Sequence, residues 1–241
     1  MPEEQKRPEI SRAALVRDLG EPTTRALFRK PLPPGTRIPA YEKLKVGDVI
    51  LSRRRKHNFV SRNIVSAQRE HGHDENDCTW THAMLYVGDL HVAESTKAMK
   101  WRTNVQIVPL THYSDFDLLV LRHTDEGFPG ERQYEIVRHG LLMQSIYPRR
   151  YDWPSAFSVR YARTLKFHLP RSILFERIFC SEFVLECFAL KGGYMIDQYV
   201  DVRDQNRNPP YHFLPADFLK VQKFQKIEME YYDLVTHSHP E

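Results

Sequence analysis

No apolar run in the chain approaches the roughly 18 residues that would suggest a membrane-spanning helix, so no transmembrane segment is expected. The opening stretch, MPEEQKRPEISRAALVRDLGEP, mixes acids and bases and lacks the apolar core of a secretory leader. A cytoplasmic protein is therefore expected, with export as an effector requiring a signal-independent route. Cysteine is scarce: Cys78, Cys180 and Cys187 form no CxxC pair and leave an odd count, which fits reduced thiols better than a disulfide framework. Charge of one sign is also in short supply. A formal net charge of +4, spread along the chain, is weaker than a dedicated nucleic-acid binder usually concentrates on one element. No internal repeat or low-complexity tract is found. What remains is a chain of 241 residues, 41% of them hydrophobic, which supports one sizeable core.

Residues 1–40 read as an extension and linker. Ile10, Ala14, Leu15 and Leu19 fall on one short helical face closed by Gly20 and Pro22, and Pro31, Pro33, Pro34 and Gly35 follow. An arm packed on the main domain is favoured over an independent module. The domain proper is placed at residues 41–225, with 226–241 as a tail whose Glu228–Tyr232 stretch and terminal histidines suggest a frayed end. Within the domain, a turn at Val46-Gly47-Asp48 feeds a short strand ending at Leu51. A helix is expected over 59–68 and a polar loop over 71–80. Strands are expected at about 81–87, 90–95, 104–108 and 116–122, and helices over 130–145 and 180–190. Strands first and helices later argue for an α+β fold with an antiparallel sheet.

The stretch from Phe179 to Phe188 carries Phe183, Val184, Cys187 and Phe188 as one apolar stripe, hence a helix with one buried face. Pro170 and the strand-prone segment from Ile173 to Phe179 put Cys180 near its N-terminus. Unpaired amides and the positive end of the helix dipole favour a thiolate there, and the same N–H groups can hold a developing oxyanion. Against this stands the reading of Cys180 as one more small buried hydrophobe.

A thiol at its ordinary pKa needs an imidazole to act as a nucleophile. Of twelve histidines, His82 stands apart because it alternates with Met84 and Tyr86 on the strand from Thr81 to Val87, either as a core residue or as a site residue. Glu94, on the next strand, offers a carboxylate for the distal imidazole nitrogen. A two-residue Gly88-Asp89 turn would pair Glu94 with Ala83 and turn it away from His82. A three-residue loop at Val87-Gly88-Asp89, with Asp89 able to adopt the left-handed conformation, would set Glu94 opposite His82.

Together, Gly47-Asp48-Val49-Ile50-Leu51, Thr81-His82, Val92-Ala93-Glu94-Ser95 and Cys180-Ser181-Glu182-Phe183-Val184 resemble the circularly permuted NlpC-type branch of the papain-like cysteine hydrolases, the YiiX/YebB-like proteins. Tyr151-Asp152-Trp153 resembles the segment preceding the nucleophile helix in that branch, and Leu214-Pro215-Ala216-Asp217-Phe218 its closing element. The resemblance covers about residues 41–225. It implies a small antiparallel sheet packed against helices, with Cys180 as nucleophile, His82 as base, Glu94 as orienter, and Tyr151 and Asp152 at the substrate. The order His, Glu, Cys reverses that of ordinary papain-like enzymes, which a permuted chain explains, since triads are defined by geometry.

The resemblance implies a small peptide, amide or acyl substrate, muropeptide fragments among them. An acyltransferase or lipid-directed thiol enzyme, or an inactive ligand-binding module, are the alternative readings. No cofactor is expected. The loop from His71 to Cys78 contains metal-ligand residue types, but the spacing matches no established zinc pattern and its acids read as solvated. Cys78 is a competing nucleophile should Cys180 lie away from His82. Arg53-Arg54-Arg55-Lys56 reads either as a solvated loop or as a cationic rim facing an anionic substrate or phospholipid.

Overall fold

In the computed structural model the described residues are 7–29, 31–54, 59–96, 105–124, 130–146, 180–188 and 213–235. The centre of the fold is set by a strand buried on both faces: Val49, Ile50 and Leu51 are each fully inaccessible to solvent. A strand of that kind needs cover on two sides. The turn before it explains the Gly-Asp pair. Gly47 sits at φ +87° and donates its N–H to the Tyr86 carbonyl at 2.9 Å. Asp48 is fully buried, accepts the Lys45 N–H at 2.8 Å, and is gripped by both Nε and a terminal nitrogen of Arg122 at 2.8 and 2.7 Å. The fork-shaped pairing fixes the corner with its charges matched.

The main sheet has six strands, all antiparallel. They are β3 (Val49–Arg54), β4 (His82–Gly88), β5 (His91–Ser95), β6 (Val105–Pro109), β7 (Phe116–His123) and β8 (Phe224–Ile227), in the order β6-β5-β4-β3-β7-β8. On one face Val49, Leu51, Ala83, Leu85 and Leu121 form an apolar layer with α4 (Glu131–Ile146) and α5 (Cys180–Cys187), through Ile136, Phe183, Val184 and Cys187. The apolar stripe expected over residues 183–188 is thus the buried face of α5. α3 (Phe59–Glu70) precedes β4. The fold is α+β, an antiparallel sheet with helices, and no helix among the described residues is long and apolar enough to cross a membrane.

The opposite face is covered by residues from both sides of the 41–225 span. Ile50, Met84, Tyr86, Val92 and Val120 are covered by Ile10, Leu15, Leu27, Ile38 and Leu234. These belong to β1 (Glu9–Ser11), α1 (Arg12–Leu19), α2 (Glu21–Leu27), β2 (Arg37–Pro39) and β9 (Tyr231–Val235). β9 lies between β1, parallel to it, and β2, antiparallel to it. The stretch expected to fray is therefore a central strand up to Val235, and β8 runs across the boundary drawn at residue 225. The physical reason is the double burial of Ile50 and its neighbours, whose second face is covered by the two ends of the chain.

β3 also runs further than its apolar stretch, into the basic residues. Arg53 stays in the ladder because Asp117 is its cross-strand partner and its carboxylate accepts from Arg53 Nε at 3.1 Å. The loop from His71 to Trp80 has exposed acids at Asp74 and Glu75, yet His73 and Cys78 are buried. His73 Nε2 meets Asp217 Oδ1 at 2.7 Å, and Asp217 Oδ2 accepts the Leu214 N–H at 2.6 Å. Asp217 is therefore a brace at the start of the 3-10 segment Pro215–Lys220.

Candidate active site

Cys180 is the first residue of α5 and is 2% exposed. Phe183, Val184 and Cys187, each fully buried, hold that helix against the sheet. Burying side chains of this size contributes roughly 1.5–3 kcal/mol each for the larger ones. The helix start is tied down as well, since the Ser181 hydroxyl donates to the Phe213 carbonyl. Because His82 is the first residue of β4, its imidazole stands at the end of the sheet, where α5 begins.

The structure brings Cys180, His82 and Glu94 together. The Cys180 thiol lies close enough to the His82 imidazole and to the backbone N–H groups of Ala83 and Ser181 for each to favour its ionised form. His82 Nε2 donates to Glu94 Oε2 at 2.6 Å, which leaves Nδ1 for the sulfur. Glu94 is almost inaccessible, its side chain only 3% exposed.

How Glu94 comes to face His82 differs from both expected turns. The hairpin closes at Asp89-Leu90, with Gly88 opposite His91, and a bulge follows at Val87. The ladder then pairs Tyr86 with Val92 and Leu85 with Ala93. Continued by one step, that register sets Glu94 across from Met84, on the same face as His82 and diagonal to it, still within reach. Asp89 and Leu90 both have positive φ, +49° and +56°. Asp89 takes this conformation readily, whereas for Leu90 it costs roughly 1–2 kcal/mol. Full burial of the Leu90 side chain offsets that strain, and its N–H donates to the Tyr86 hydroxyl at 3.2 Å.

Two further residues complete the carboxylate's surroundings. Gln106, the cross-strand partner of Glu94 on β6, donates Nε2–H to Glu94 Oε1 at 2.8 Å. The Tyr113 hydroxyl donates to Glu94 Oε2, and its ring stacks on His82 with centroids 5.9 Å apart. Tyr113 ends the 3-10 segment Leu110–Tyr113, and no sequence signal marked it or Gln106. Arg37, from β2, holds the adjoining corner by donating to the carbonyls of Ser114 at 3.3 Å and Phe116 at 2.9 Å. The N-terminal segment thus braces the turn that carries Tyr113.

The electrostatics follow from this geometry. Burial opposes ionisation of Cys180, but the adjacent imidazolium, its hydrogen bond and the two backbone N–H groups outweigh it, and the thiol lies below its ordinary pKa. For His82 burial again acts first, pulling the pKa down. The Cys180 thiolate and then Glu94 overcome it and hold the imidazole above its ordinary value. Glu94 is kept below the usual carboxylate range, because its three donors outweigh the effect of burial. Cys187, equally buried, is pushed well up by desolvation, with the adjacent Glu186 acting in the same direction. Both shifts favour the thiolate–imidazolium form of the Cys180–His82 pair.

The other candidates fall elsewhere. The buried Cys78 thiol donates to the Glu75 carbonyl at 3.3 Å. Among the described residues no group of three or more His, Cys, Asp or Glu side chains is placed to hold a metal ion. Tyr151 and Asp152, and the segment from Ile173 to Phe179, lie outside the described residues. No family model matches the chain, and no curated protein matches it in sequence.

Proposed function

We propose that this protein is a cysteine hydrolase that cleaves an amide or peptide bond through Cys180, His82 and Glu94, with the permuted papain-like arrangement its motifs resemble. The observation that carries the reading is the connected chain from the Cys180 thiol to the His82 imidazole to the Glu94 carboxylate, at the start of a helix.

The Cys180 thiolate attacks the carbonyl carbon, forming a C–S bond while the carbonyl π electrons move to oxygen. N–H groups at the α5 start stabilise that oxyanion. On collapse the C–N bond breaks and His82 gives its proton to the leaving amine. The neutral imidazole then takes a proton from water, the hydroxide adds to the thioester, and the acid departs as the thiolate–imidazolium pair is restored. Glu94 keeps the imidazole oriented and favours its charged form. Peptide fragments of the muropeptide type are the substrates the motif resemblance suggests.

The test is to incubate the protein with a panel of peptide and muropeptide amides, quench in acid and map adducts by mass spectrometry. An acyl mass on the peptide carrying Cys180, together with turnover that is lost in Cys180→Ala, supports the reading. Amide turnover that persists in Cys180→Ala contradicts it.

A further inference from the structure

Arg53 and Arg54 are the last residues of β3, paired with Asp117 and Phe116 of β7, and their surroundings differ. Arg53 is engaged: Nε donates to Asp117 at 3.1 Å, a terminal nitrogen donates to Thr79 at 3.2 Å, and its guanidinium lies 4.8 Å over the Trp80 ring. Its charge is matched by Asp117, which also lies 3.8 Å from Arg37. Arg54 is exposed and has no carboxylate partner among the described residues. Its guanidinium lies 5.0 Å over the ring of Phe116. Phe116 in turn meets the edge of Tyr113 at 5.0 Å, and Tyr113 stacks on His82.

The strand register gives the placement. Ser52 is the cross-strand partner of His82, and Arg54 is two residues further on the same face. That spacing is about 7 Å along the strand, within the span of a substrate whose scissile carbonyl lies at Cys180. An Arg fork shelved on an aromatic ring, with no counter-ion among the described residues, is suited to binding an oxyanion.

We propose that Arg54, on its Phe116 shelf, is a specificity-determining residue that binds a singly charged oxyanion on the substrate, a few bonds from the scissile carbonyl. The carboxylate of an acyl-amino acid or peptide and a phosphodiester share this chemistry. A single charge fits better than a double one, because among the described residues Arg54 is the one cation here without a carboxylate partner, while Asp117 pairs with Arg53 and Glu94 with His82. The Arg54 charge is felt as far as the Tyr113 hydroxyl, whose ionisation it favours against the stronger effects of burial and Glu94. This inference rests on Cys180 being the reactive thiol, and names the substrate class that thiol would meet.

The experiment uses the full chain and a matched set of bromoacetyl probes, in which Cys180 sulfur displaces bromide to form a C–S bond. Each probe carries, through a short spacer of varied length, a carboxylate, a carboxamide or a methyl phosphodiester. Rates are measured by mapping the Cys180 adduct. At the best spacer length an anionic probe should react about 5- to 30-fold faster than its carboxamide, a ratio reduced by added salt. That ratio should collapse toward one in Arg54→Gln and invert in Arg54→Glu, while Arg54→Lys restores part of it. Which anion shows the larger Arg54-dependent ratio identifies the source, a carboxylate-bearing peptide or a phosphodiester headgroup. An absent preference, or one that survives in both Arg54→Gln and Arg54→Glu, overturns the inference. If Cys180 reacts no faster than an ordinary thiol with every probe, and His82→Ala changes nothing, the failure lies instead with the thiol reading itself.

Discussion

Replacing Glu94 with Gln isolates the charge that favours the imidazolium. The substitution is nearly isosteric, and the site can accommodate it. In the native protein Glu94 Oε2 accepts from His82 and Tyr113, while Oε1 accepts from Gln106. A glutamine can keep its oxygen toward His82 and Tyr113 and point its NH2 at Gln106, whose own amide then flips to present oxygen. What is lost is the negative charge. A hydrogen bond to a charged group contributes roughly 1.5–3 kcal/mol against about 1 kcal/mol for a neutral one. Direct Coulomb attraction at an effective dielectric of about 20 adds up to a few kcal/mol more. At about 1.4 kcal/mol per pKa unit, His82 in Glu94→Gln should titrate roughly one to two units lower than in the native protein.

The sign follows from the direction of the shift. His82 is held above its ordinary value partly by Glu94, so removing that charge lets the proton leave at lower pH. The pH window of the thiolate–imidazolium pair therefore narrows from its alkaline side. NMR titration of the His82 ring signals, assigned by comparison with His82→Ala, reads the shift directly. An unchanged or raised His82 pKa in Glu94→Gln would refute the role given to Glu94.

Three other substitutions probe the supports of the site. Tyr113→Phe removes a donor that competes for Glu94 while keeping the ring stacked on His82, so the His82 titration should move up by roughly half a unit, opposite in sign to Glu94→Gln. Asp48→Asn breaks the two-pronged pairing between the fully buried Asp48 and the partly buried Arg122 and should cost about 3 kcal/mol in urea unfolding, without changing Cys180 reactivity in the molecules that remain folded. Gly140→Ala would place a methyl group 3.0 Å from Cys187 Sγ and 3.5 Å from the Phe183 ring, wedging α4 from α5. It should cost about 1 kcal/mol despite alanine's better helix propensity, and become stabilising in a Cys187→Ala background.

Local patterns made the site legible where they are enforced by local physics. The apolar stripe on α5 and the alternation of His82 with Met84 and Tyr86 each report which way a side chain points within one element, and both matched the buried faces. The hairpin was harder. Its register is decided by Leu90 at positive φ, a conformation that no turn rule assigns to leucine and that only the core beneath it sustains. Glu94 faces His82 after all, but through a bulge at Val87. Gln106 and Tyr113 reach Glu94 only once the sheet is assembled, so their own neighbourhoods in the chain hold no trace of it. The strands near the C-terminus were obscured for another reason. β8 is an edge strand with exposed Gln225 and Lys226 at its middle, and only Leu234 of β9 is fully buried. Neither shows the clean alternation that marks a half-buried strand.

Activation of Cys180 by His82 is tested most directly by alkylation with iodoacetamide. All three cysteines are buried, so burial alone does not single one out. Cys180 should be alkylated first, at neutral pH and below, while Cys78 and Cys187 react far more slowly. In His82→Ala the Cys180 rate should fall by about 10²-fold and its pH dependence should move up toward that of an ordinary thiol. Equal labelling of Cys78, Cys180 and Cys187, unaffected by loss of His82, would contradict it.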